Sequence, residues 1–191
     1  MPRTKSFDRD TALDAAAAVF ALHGYEGTST DALLAAMKIG RQSLYDTFGD
    51  KRQLYLESLE RYNTGSTADI IKALHTGTTP LDGIEAALLR AAALKPDEGC
   101  LGVSAICEFG RSDREVSRAT DAASQLLQKA FEQRFAEAKT AGLVDRTIST
   151  AEAATFLAAI LSGMKVSARG GASPKDLRAI ARRALRAFAP T

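Results

Sequence analysis

A chain of 191 residues, 46% of them hydrophobic, is long enough to bury a real core. With no tryptophan, long alanine-rich stretches and almost no β-branched alternation, its composition favours packed helices over sheet. The net charge of +2 is modest, and residues 1–62 carry eight Lys/Arg (3, 5, 9, 38, 41, 51, 52, 61) against nine Asp/Glu (8, 10, 14, 26, 31, 46, 50, 57, 60), so bulk charge announces no polyanionic partner.

Residues 1–10 are polar and charged, unlike a secretory signal, and the apolar runs 15–22 and 153–161 are too short to span a bilayer. Two cysteines make no disulfide framework. A cytoplasmic chain in a reducing compartment, away from membranes, is expected.

The first helix is predicted over residues 8–23, with Leu13, Ala16, Ala17 and Phe20 on one face and Gly24 at its end. Residues 28–54 then read as helix, tight turn, helix and the start of another helix. Ser29 is a plausible N-cap, and Ala32, Leu33, Ala36 and Met37 form an apolar stripe. Lys38, Ile39 and Gly40 leave room only for a turn. In the next helix, 41–48, Leu44 and Phe48 lie one turn apart and face inward, which leaves Arg41, Gln42, Tyr45, Asp46 and Thr47 facing outward. Polar side chains near a helix N-terminus, on a helix held from behind by apolar ones, suit insertion into a major groove. Asp50 can cap a helix starting at Lys51, with Leu54, Leu59 and Tyr62 among its apolar positions.

Residues 76–80 break the chain before a helix carrying Ile84, Ala87, Leu88 and Ala91, and residues 95–99 break it again. A short apolar helix is predicted over about 101–109 and a long one over 113–141, ended by Gly142. The last two, 150–168 and 174–189, are split by Gly170 and Gly171, with Pro174 well placed at a first helical turn.

Ser43, Leu44, Tyr45, Phe48, Lys51 and Leu54, preceded by Gly24, Tyr25, Thr28 and Ser29, resemble the N-terminal domain of the tetracycline-repressor-like (TetR/AcrR) family of transcriptional regulators. The resemblance covers the first quarter to third of the chain. It implies an all-α fold: a three-helix helix-turn-helix DNA-binding domain, residues 1–50, and a larger helical effector-binding and dimerisation domain, residues 51–191. It also implies a homodimer on an inverted-repeat operator of double-stranded DNA, released by a small apolar effector, with no cofactor. Residues matching Arg41, Gln42 and Thr47 lie in the groove in this family, and those matching Thr30, Tyr45 and Lys51 anchor the DNA backbone. Ser43 belongs to the same surface.

Chemistry agrees: Arg forks to guanine and Gln to adenine, each pair worth about 1–3 kcal/mol of discrimination. Three residues depart from the family pattern. Lys38 stands where glycine is common, at a cost on the order of 1 kcal/mol if its backbone is left-handed. Gly40 replaces the usual serine cap. Asp46 is a specificity candidate that accepts from cytosine or pairs with Arg41 or Arg52.

In the final helices Phe156, Ile160 and Met164 recur at four-residue spacing, as do Leu177, Ile180, Ala184 and Phe188. The family pairs its last two helices with their copies, so these residues are expected at the dimer interface, internal core being the alternative. Candidate effector-pocket walls are Leu88, Ala91, Val103, Ile106, Phe109, Leu127, Phe131 and Phe135, each equally a core residue.

Cys100 and Cys107 on one helix stand about 10 Å apart along its axis, too far for a disulfide. Metal binding also looks poor, because His23 and His75 lie elsewhere and there is no CxxC. Cys107 is expected to be a buried small hydrophobe. Cys100, after Gly99 at a helix N-terminus, is a redox candidate; some electrophile-sensing members of the family carry a similar Gly-Cys-Leu. An enzyme finds no support, since there is no Glu-x-x-His pair, Gly-rich phosphate loop or nucleophile–base pair. A helical scaffold would not need Arg41, Gln42 and Lys51 to face outward together.

Overall fold

The computed structural model describes residues 7–93 and 99–190, and over them the chain is all-helical. Its elements are α1 (Arg9–His23), α2 (Thr30–Met37), α3 (Arg41–Phe48), α4 (Lys51–Leu74), α5 (Pro80–Ala91), α6 (Leu101–Phe109), α7 (Arg114–Thr140), α8 (Thr150–Arg169) and α9 (Pro174–Arg186). The predicted helices all form. The break expected at 95–99 lies outside the described residues except for Gly99.

The helix starts follow from capping chemistry. Asp8, Ser29, Thr79, Ser149 and Ser173 accept a first-turn backbone N–H at α1, α2, α5, α8 and α9. Asp50 and Asp113 do the same for α4 and α7. Thr79 with Asp82, and Ser173 with Asp176, close capping boxes in front of Pro80 and Pro174. Only α3 and α6 among these helices start without a side-chain cap, at Gly40 and Cys100.

The chain folds as two compact units, one within residues 1–64 and 98–120, the other within 65–97 and 121–191. In the first, Leu13, Ala16 and Phe20 of α1 pack with Leu33 and Met37, Leu44 and Phe48, Leu54 and Tyr55 of α4, and Leu101 and Ala105 of α6. Helix α6 enters this core past the end of α1. A Cβ at Gly99 would lie 1.8 Å from the Ala21 carbonyl oxygen, so only glycine fits there.

In the second unit, Ile84 and Leu88 of α5, Phe131 and Phe135 of α7, Leu157 and Leu161 of α8, and Leu177 and Ala181 of α9 form one apolar core. Phe188 closes its end, edge-on to Phe135 at 4.8 Å. Helix α8 runs 20 residues, beyond the 153–161 segment, and is long and apolar enough to cross a membrane by length and composition alone. Its Ala153, Ala154, Leu157, Leu161, Met164 and Ala168 are buried in this core.

Candidate nucleic-acid interface

Helix α2 holds Leu33 and Met37 in the core, with Leu34 and Ile39 packed alongside. Ala32, expected in that stripe, is exposed, because it precedes Leu33 by one residue and so turns about 100° away. Lys38 ends the helix with φ 54° and ψ 41°, the one non-glycine residue with positive φ among the described residues. The left-handed backbone that the missing glycine implied is therefore present, and a Cβ residue bears its cost.

Helix α3 is pinned from behind by Leu44 and Phe48, at 0% and 2% exposure, each side chain contributing about 1.5–3 kcal/mol by burial. Arg41, Gln42, Tyr45 and Asp46 are exposed on the opposite side, while Ser43 and Thr47 are half-buried. Thr30 begins α2 half-buried, just after the Ser29 cap. Gly40 offers no side chain to the first amides of α3, so those N–H groups remain available to an anion.

The exposed charges pair differently from expectation. Arg41 reaches back to Asp31 on α2, 2.5 Å away. Asp46 accepts from Gln42, its i−4 neighbour, at 2.8 Å. Arg52 is taken by Asp113 and Glu115, at 2.7 and 2.8 Å, and is therefore unavailable to Asp46. Local helix spacing decided the Asp46 pair. Both Arg41 and Gln42 are thus held by solvent-exposed carboxylates, pairs worth little in water and readily exchanged for a stronger partner.

Lys51, at the start of α4, holds its ammonium 4.3 Å from the centre of the Tyr25 ring. That ring packs edge-on to Tyr55 at 5.1 Å and against Phe109 at 5.8 Å. The Arg52 guanidinium beside Asp113 keeps its carboxyl below the usual aspartate range, helped by the Val116 amide. Burial raises the Tyr55 hydroxyl, with Glu108 and Asp113 adding to the shift. The Tyr55 and Ser58 hydroxyls are fully buried without a hydrogen-bond partner. Sequence reasoning missed Asp31, Glu108, Asp113 and Glu115 as contributors to this unit; the one local signal was Glu108, an acid at the wrong end of a helix.

Of the candidate pocket walls, Leu88, Ala91, Phe131 and Phe135 are buried together in the second unit's core, with Leu127 half-buried beside them. Val103, Ile106 and Phe109 belong to α6 of the first unit. Phe109 packs into the aromatic cluster, Val103 is half-buried, and Ile106 is exposed.

Of the expected interface stripes, Met164, Leu177, Ala184 and Phe188 point into the second unit's core, Ile160 and Ile180 are half-buried, and Phe156 is exposed. A four-residue step rolls about 40° round a helix, so the stripe turns inward from Phe156 to Met164. The outer face of α8 is instead Phe156, Ala159, Ser162, Gly163 and Val166.

Cys107, expected to be buried, is exposed, and the redox candidate Cys100 is buried; both are free thiols. Leu101 and Ala105 set the buried face of α6, and Cys107 falls on the other side. Among the described residues no group of three or more His, Cys, Asp or Glu is placed to hold a metal ion.

Residues 12–58 match the family model for bacterial regulatory proteins of the tetR family, and residues 81–185 match a tetracyclin repressor-like C-terminal domain. The HTH-type transcriptional regulator YezE of Bacillus subtilis (strain 168) is 34% identical over 146 residues, covering 74% of this chain and 75% of its own. The HTH-type transcriptional repressor ComR of Escherichia coli (strain K12) is 28% identical over 189 residues, covering 96% of this chain and 90% of its own. A cysteine mutant of the TetR family transcriptional regulator CifR, solved in complex with 26-bp double-strand operator DNA, superposes with a TM-score of 0.83 at 32% identity, over 97% of this chain and 99% of that one. The chain belongs to the TetR family of transcriptional regulators.

Proposed function

We propose that this regulator is a cytoplasmic homodimeric repressor that binds an inverted-repeat operator through α3 of each copy and releases it when a small, largely apolar effector binds. The observation that carries this reading is the exposed row Arg41, Gln42, Tyr45 and Asp46 on a helix fixed from behind by Leu44 and Phe48. The operator complex of CifR and the repressor ComR support it.

Arg41 and Gln42 leave Asp31 and Asp46 to fork to base edges, with Thr47 beside them in the groove. Thr30, Ser43, Tyr45, Lys51 and the open amides after Gly40 take phosphates, which fixes register without reading sequence. Asp46, freed from Gln42, accepts from cytosine and is repelled elsewhere. On this reading residues 1–50 are the helix-turn-helix DNA-binding domain, joined on the DNA by Lys51 at the start of α4, and residues 51–191 carry effector binding and dimerisation.

Dimer pairing uses the outer face of α8, where Phe156 and Val166 flank Ala159 and Gly163; a Cβ at Gly163 would meet nothing within 4 Å. Small residues beside large ones allow close helix approach. Ile160 and Ile180 flank that face, and Met164, Leu177, Ala184 and Phe188 support it from the core. The effector is taken up among Leu88, Ala91, Leu127, Phe131 and Phe135 of the second unit. It acts only as far as it prefers the form that does not bind DNA.

Titration of a duplex from upstream of the protein's own coding sequence tests the reading. Two chains per inverted repeat, displaced by an effector, should be found; one chain per duplex would overturn it. A thiol switch through Cys100 is the alternative. Its burial argues against ready attack by an oxidant, and identical operator release by peroxide in wild type and Cys100→Ser would remove it.

A further inference from the structure

Glu108 is the penultimate residue of α6, at the end where the helix dipole repels a carboxylate. Its compensation comes from far away in sequence. The Tyr25 amide donates to Glu108 Oε2 at 2.8 Å and the Glu26 amide donates to Oε1 at 2.7 Å, across 83 and 82 residues. Two charge-assisted bonds to backbone are each stronger than neutral ones and fix the orientation of the turn they hold.

Gly24 admits the carboxylate: with φ +73°, it has a backbone few side chains tolerate, and a Cβ there would stand 2.9 Å from Oε2. The Thr28 hydroxyl donates to the Gly24 carbonyl at 2.6 Å and closes the turn just ahead of the Ser29 cap. The Tyr25 ring, positioned by its own clamped amide, is the surface on which the Lys51 ammonium rests.

We propose that Glu108 is a positioning residue for operator binding: by holding the Tyr25 and Glu26 amides, it sets the Tyr25 ring that presents Lys51 to the DNA backbone. This rests on the operator-binding function proposed above. Simple electrostatics makes the opposite forecast. Glu108 is an exposed anion on a unit that meets a polyanion, so removing its charge should tighten binding and leave the phosphate contacts intact. Glutamine at this position keeps the size, but its amide NH2 would face one of the two backbone N–H groups, so both bonds cannot survive.

The test uses the full chain as wild type, Glu108→Gln, Lys51→Ala and the double variant, on the operator duplex and a random duplex through a salt series. Thermal melts first establish that each variant is folded at the working temperature. Glu108→Gln should weaken binding to both duplexes about five- to tenfold and flatten the slope of log affinity against log salt by nearly one unit, as expected for one lost phosphate contact. In the Lys51→Ala background it should add nothing, because both changes remove the same contact.

Amide exchange at Tyr25 and Glu26 should quicken in the free variant. Unchanged or tighter DNA binding, an additive loss in the double variant, or unchanged exchange would each overturn the assignment. If wild type shows no operator preference while Glu108→Gln still flattens the salt slope, operator reading fails and the positioning role stands. If wild type binds neither duplex, both fall.

Discussion

Helices α3 and α8 are each buried on one side and exposed on the other, yet their exposed sides are opposites. Outside Leu44 and Phe48, α3 offers Arg41, Gln42, Tyr45 and Asp46, groups that donate, accept or stack. Outside Leu157, Leu161 and Met164, α8 offers Phe156, Ala159, Ser162, Gly163 and Val166, a mostly apolar face. A polar outer face on a rigidly held helix can exchange water for a polyanion at little cost. An apolar outer face is satisfied only by another apolar surface. On the function proposed above, the same burial rule prepares one helix for nucleic acid and the other for a copy of the chain.

Breaking the α8 side should have the larger effect. Phe156→Asp, or a charge at Ile160, should give monomers by light scattering and lower affinity for an inverted repeat about a hundredfold or more, since two linked heads gain from each other's attachment. Smaller is the cost of Lys51→Ala on the α3 side. It should weaken operator and random duplex alike and flatten the salt slope by about one unit.

Smaller again is the backbone: Lys38→Gly should stabilise the fold by about 1 kcal/mol by denaturant titration, because glycine takes φ 54° without strain. The Arg52–Asp113 pair sharpens the comparison through pH. Its depressed aspartate stabilises the folded state above the ordinary value of 3.8, and that contribution is lost as pH falls through the lower folded value. Asp113→Asn should therefore melt below wild type at neutral pH, and the two curves should converge in acid.

What the sequence disclosed follows the range of the forces involved. Helix starts depend on a few adjacent residues, so the caps at Ser29 and Asp50, Pro174 at a first turn, and the inward Leu44 and Phe48 were all legible. The partners of Arg41 and Arg52 were not. Asp31 lies ten residues from Arg41, and Asp113 and Glu115 lie far beyond Arg52, at the start of α7. Four-residue periodicity in α8 and α9 left interface and internal core as alternatives, because two faces of one helix share that period. Only packing revealed that Met164, Leu177, Ala184 and Phe188 turn inward while Phe156 and Val166 turn out. The cysteines follow the same lesson, since the phase of α6 is set by Leu101 and Ala105 meeting the core.

The central claim is that the exposed face of α3 reads bases. Equilibrium binding of wild type, Arg41→Ala and Gln42→Ala to operator and to a random duplex of equal length, at one fixed salt concentration, tests it most directly. Each substitution should cost about 1–3 kcal/mol on the operator and far less on the random duplex, narrowing the ratio between them. Equal losses on both duplexes would contradict it, leaving α3 a helix that touches DNA without reading it.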